Sequence, residues 1–105
     1  MRIVLHPEAQ ADITEAADWY EVRAPGLGVD FVNAVFAALE QVSLAPRMFA
    51  VWPHSPAVSP PVQRYLMRSF PAYAIAFRRF PDHLLVIAVA HSSRKPRFWA
   101  KRATP

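Results

Sequence analysis

Residues 84–91 read Leu84-Leu85-Val86-Ile87-Ala88-Val89-Ala90-His91, an uncharged run that ends in a histidine. It is too short to span a membrane and is flanked by turn-forming residues, so it reads as a buried strand. A buried strand constrains the whole chain, because other elements must cover it and pair with it. It also fixes what stands at one end of the sheet. The next residues are Ser92-Ser93-Arg94-Lys95-Pro96-Arg97-Phe98-Trp99-Ala100-Lys101-Arg102. Five cations and two aromatics are thus delivered beside His91.

Charge is segregated elsewhere too. Residues 1–45 carry two cations against seven acids, a net −5. Residues 46–105 carry ten cations against Asp82 alone, a net +9, so the overall +4 conceals an acidic and a basic half. A pI near 10.1 favours polyanions or acidic proteins as partners. Ten of the twelve cations are arginine, the side chain suited to planar, bidentate contact with phosphate or carboxylate. With 105 residues and 53% hydrophobic content, one packed domain over 1–105 is expected. Cysteine is absent, which excludes disulfides, thiolate metal sites and a cysteine nucleophile. Only three apolar residues follow Met1-Arg2 before His6-Pro7-Glu8, so no secretory signal and no membrane association are expected, and the expected compartment is the cytoplasm.

Periodicity sets the order of elements. Arg2-Ile3-Val4-Leu5 is a short strand, and His6-Pro7-Glu8 a helix start. A first helix is predicted over 7–22, with Ala9, Ile13, Ala16, Ala17 and Tyr20 on one face and Glu8, Asp12, Glu15 and Asp18 on the other. Both glycines fall in the break Ala24-Pro25-Gly26-Leu27-Gly28. A second helix is predicted over 29–44, with the stripe Phe31, Val32, Val35, Phe36, Leu39 and Val42, stopped by Pro46. The short break makes the pair an antiparallel hairpin. A proline-rich stretch over 48–61 reads as irregular. Strands over 62–68, 73–80 and 84–91, joined by short connections, form an antiparallel meander. In the middle strand Tyr73, Ile75 and Phe77 should face the helices, and Ala74, Ala76 and Arg78 the other side. The fold class is α+β, a helical hairpin packed on one face of an antiparallel sheet; the neighbour of the first strand stays open.

This order and these residues resemble the RelE/ParE superfamily of bacterial type II toxins. The carriers are Glu15-Ala16-Ala17-Asp18-Trp19-Tyr20-Glu21, then Pro25-Gly26-Leu27-Gly28 with Phe31, then Pro46. Arg64, Leu66, Arg68-Ser69-Phe70-Pro71 and Tyr73-Ala74-Ile75 resemble the family's second and third strands. Ile87-Ala88-Val89-Ala90-His91-Ser92-Ser93-Arg94-Lys95-Pro96 with Trp99 resembles its last strand and tail. The branch most similar is the ParE-like one, the plasmid-stabilisation proteins. The resemblance implies a cognate antitoxin that wraps and neutralises the toxin. It implies DNA gyrase as target, or, for RelE-type relatives, mRNA cut on the ribosome. A non-toxic interaction domain of the same fold is a further alternative.

A ribonuclease needs a base, an acid and cations for the phosphate. His91 can serve as base or acid, Arg64, Arg68, Arg94 and Arg97 can hold phosphate, and Tyr65 or Tyr73 can offer a hydroxyl. The RelE-type pattern has lysines on the early strands and a tyrosine in the tail. Here the early strands carry arginines, which stay charged and are poor proton donors, and the tail carries Phe98 and Trp99. The pattern therefore favours binding over cleavage, with Arg64, Arg68, His91, Arg94, Lys95, Arg97 and Trp99 as the expected target or antitoxin contacts. Against this, His91 can be a mere polar strand terminator, and the acidic helix face can be solvated or paired with arginines of the same fold. His6, His54 and His83 have turn-like neighbours, and no two histidines have metal-ligand spacing, so no metal or cofactor is expected.

Overall fold

A computed structural model describes the chain except residues 46–48, 54, 96–97 and 104–105. Pro46 as helix stop, His54 as a turn residue and Arg97 as a contact therefore lie outside the described residues. Strand β1 (Arg2–Leu5) leads into helix α1 (Pro7–Arg23). The helix starts where Pro7 needs no N–H partner, and the His6 imidazole accepts the Glu8 N–H at 3.1 Å. Helix α2 (Leu27–Leu44) follows at once, two residues earlier than its apolar stripe suggested. Its start is held from α1: the Glu21 carboxylate accepts the N–H groups of Gly26 and Gly28, each at 3.0 Å. That carboxylate occupies the place of an N-cap side chain, which Gly26 lacks. Gly26 has φ +89°, a left-handed conformation that a side chain would strain. At Gly28 a Cβ would lie 2.6 Å from the Ala17 carbonyl oxygen, so the two helices meet backbone to backbone.

The sheet contains β2 (Gln63–Leu66), β3 (Tyr73–Arg79), β4 (His83–His91) and β1, in the order β1-β4-β3-β2. The three later strands form the antiparallel meander expected from the short connections. The first strand completes the sheet by pairing parallel to β4, from Arg2 opposite His83 to Leu5 opposite Val86. Beyond Val86 the outer edge of β4 has no strand beside it among the described residues. Between β2 and β3, Phe70 takes φ +58°, uncommon for an aromatic residue. Its ring is wedged against Tyr20 and Phe31, with centroids 4.9 and 5.1 Å away, and this packing holds the turn.

The helix-side core joins Ile13 and Ala16 of α1, Phe31, Val35, Leu39 and Val42 of α2, and Ile75, Phe77, Leu84, Val86 and Val89 of the sheet. Phe36 departs from the expected stripe: it is 45% exposed, and Val32 is only half-buried. An α2 this apolar is long enough to cross a membrane by length and composition, yet it buries Phe31, Val35, Leu39 and Val42 in the core. The other face of the sheet is not bare. Val62, Ala76, Ile87, Ala88 and Ala90 form a second core with Trp99 and Ala103. Trp99 is 0% exposed and meets Trp52 edge to face at 5.0 Å. The alanines of β3 and β4 leave space for this indole, which the tail folds back to insert.

Candidate functional site

The strand register determines where His91 ends up. Between β3 and β4 the pairing shifts, with Ala76 opposite Ala88 but Phe77 opposite Val86, so Ile87 is an extra residue on β4. Leu84 and Val86 face the helices, Ile87 and Ala88 face the tail, and Val89 faces the helices again. This β-bulge reverses the alternation, and His91 emerges on the α1 side. Its ring stands edge to face with Tyr73, its partner across the strands, at 5.0 Å. Its Nδ1 accepts the Ser93 backbone N–H at 2.9 Å, with the Ser93 hydroxyl also at 2.7 Å. Nδ1 is thus turned into the Ser92-Ser93 turn.

Past this turn the chain forms a basic groove on the sheet face opposite the helices. Arg64 and Leu66 from β2 and Arg94, Lys95 and Phe98 from the tail line a space of about 270 Å³, with Trp52 and Pro71 beside them. The Arg94 guanidinium lies 3.7 Å over the Phe98 ring. Arg94 and Lys95 are exposed. Arg64 is half-buried, and its guanidinium has no partner among the described residues. One expected contact is corrected. Trp99 is fully buried beneath the groove, so it supports the surface and offers none of its own. Arg68, past the end of β2, is exposed and lines a different hollow from Arg64, with Ala34, Ala38 and Gln41 of α2.

Arg102 and Asp12 form an arrangement that reading the tail as a solvated binding edge did not anticipate. Their side chains, 10% and 8% exposed, meet at 2.7 Å, and Glu8 adds a 3.6 Å contact. Asp12 also accepts the Val89 N–H at 3.1 Å, and Arg102 donates to the Ile87 carbonyl at 3.2 Å. These two β4 groups lie just beyond the last rung of β1, so an ion pair takes over where the strand stops. The acidic helix face gave the only linear signal, since it admitted arginine partners from the same fold. Among the described residues the basic half thus draws two acidic partners from the acidic half, Asp12 and the more exposed Glu8.

The groove has the chemistry of an anion receptor. It offers guanidinium and ammonium donors and aromatic walls, and the His91 Nδ1 at its end is engaged by the Ser93 N–H. The Tyr73 phenol is pushed above its usual range by burial, with the nearby Tyr20 and Glu15 adding to it, and so stays protonated at neutral pH. Among the described residues no three His, Asp or Glu side chains come together as metal ligands.

A family model described as the ParE toxin of type II toxin–antitoxin systems, parDE, matches residues 3–96. Among solved structures, a chain of the chromosomal ParDE toxin–antitoxin system from P. aeruginosa shares the fold. Its TM-score is 0.69 at 16% identity, covering 87% of this chain and 95% of that one. No curated protein matches the chain.

Proposed function

The chain belongs to the ParE toxin family of type II toxin–antitoxin systems, and from that premise we propose that it acts by binding DNA gyrase in the cytoplasm and is silenced by a cognate antitoxin. The observation that carries a binding mode over a cutting one is the hydrogen bond from Ser93 N–H to His91 Nδ1. That bond engages Nδ1, the nitrogen a ribonuclease using it as base would need free. The two arginines of the groove, Arg64 and Arg94, are poor proton donors and so suit attraction of anionic groups rather than proton transfer.

The antitoxin segment that fits this surface carries an acidic residue for Arg64, Arg94 or Lys95 and apolar anchors beside it. Leu66, 63% exposed at the groove wall, is a ready apolar contact. The experiment is induction of the chain without an antitoxin, with DNA supercoiling and mRNA integrity followed together. Failed DNA topology with intact mRNA supports the gyrase reading. Prompt mRNA cleavage at codon positions with normal supercoiling would replace it with a ribosome-dependent endonuclease.

A further inference from the structure

A second cavity lies on the other side of His91, between α1 and the end of β4. Its volume is about 330 Å³. Ala16 and Val89 form an apolar floor, and Trp19, half-exposed, forms one wall. Three oxygen-bearing groups of the lining, the Glu15 carboxylate and the Tyr20 and Tyr73 hydroxyls, have no hydrogen-bond or ionic partner among the described residues. Asp12, at the back, is already committed to Arg102 and Val89. Burial raises the Tyr73 phenol first, and Tyr20 and Glu15 raise it further, which places these groups within electrostatic reach of one another.

We infer that this cavity receives a cationic side chain, arginine or lysine, presented by a partner protein. The chemistry is complementary at each wall. A guanidinium has five N–H donors, and the cavity offers a carboxylate and two phenol oxygens as acceptors. Its carbon stem would lie on Ala16 and Val89. The Trp19 ring already binds one guanidinium within the chain, since Arg23 lies 3.2 Å over it. The cation at the rim does not fill the cavity, because Arg94 lies over Phe98 instead. A phosphate would meet the negative charge of Glu15, so nucleic acid is the wrong occupant. The site adjoins the basic groove, with Tyr73, His91 and Arg94 on the shared wall, and holds whether the toxic target is gyrase or mRNA. A partner that spans both would alternate a basic residue here with an acidic residue at Arg94.

The test is an NMR titration of the purified full chain with the blocked amino acids N-acetyl-arginine methylamide, its lysine and norleucine counterparts, and N-acetyl-glutamate methylamide. The reporters are the Trp19 indole N–H and the Val89 amide. The expected result is a saturable shift of both with arginine and lysine and none with norleucine or glutamate. Glu15 is exposed on α1, so Glu15→Gln should leave the remaining spectrum native while weakening arginine binding at least five-fold. Tyr73→Phe should weaken it less. Equal responses to arginine and norleucine, no saturation with arginine, or unchanged arginine binding in a folded Glu15→Gln variant would overturn the inference.

Discussion

Proton transfer by a histidine requires a ring nitrogen that can change its protonation, and at His91 one nitrogen is held by Ser93 N–H. His91→Ala should therefore leave growth arrest within a few-fold of wild type. A nuclease relying on this ring would lose roughly 10²–10⁴-fold. Dose–response of growth arrest, with the folded state checked by circular dichroism, distinguishes the two. Asp12 carries a different kind of importance. Removing it leaves Arg102, buried to 10% exposure, with only the longer Glu8 contact as its ionic partner, and frees the Val89 N–H. Asp12→Ala should cost about 3–5 kcal/mol, the usual penalty for breaking a buried pair from one side. Urea unfolding measures this, and a loss below about 0.5 kcal/mol would show that the pair is solvated. The sequence made His91 conspicuous through its place after an apolar run. It said little of the partner of Asp12, which lies ninety positions away, because no local pattern encodes so distant a pairing.

Periodicity made the two helices and the meander legible, since apolar spacing survives in the sequence wherever one face is buried. Leu39 lies fully buried on α2, and Leu39→Ala should cost about 2–5 kcal/mol. Phe36 belongs to the same linear stripe but looks outward at 45% exposure, so Phe36→Ala should stay within about 0.5 kcal/mol. Thermal or urea denaturation of the two variants side by side tests whether the helix face is assigned correctly. Three features escaped the pattern for physical reasons. The bulge at Ile87 leaves no mark in an all-apolar strand, where alternation is invisible. The parallel pairing of β1 is a matter of topology that four residues cannot announce. The second core sets Val62, Ile87 and sheet alanines against one tryptophan of a highly charged tail, whose burial is masked by its neighbours. Trp99→Ala should remove about 3–5 kcal/mol by emptying the space above those alanines.

Across the whole molecule, the acidic and basic halves are joined at Arg102 and Asp12, and Arg64, Arg94 and Lys95 remain to face a partner. Exposed cations attract at long range and are screened by salt, whereas apolar contacts are not. Association of the antitoxin should slow strongly as salt rises while dissociation changes little, and Arg64→Ala with Arg94→Ala should flatten that dependence. Stopped-flow kinetics over a salt series would show this, and an association rate indifferent to both salt and substitution would exclude the groove from the interface. The central claim, that this chain disables a protein rather than cutting RNA, is tested most directly in a purified system. DNA gyrase supercoiling and ribosome-bound mRNA integrity are measured in parallel as the chain is titrated in without antitoxin. The account predicts dose-dependent loss of supercoiling activity with full-length mRNA. Cleaved mRNA beside unimpaired gyrase would contradict it.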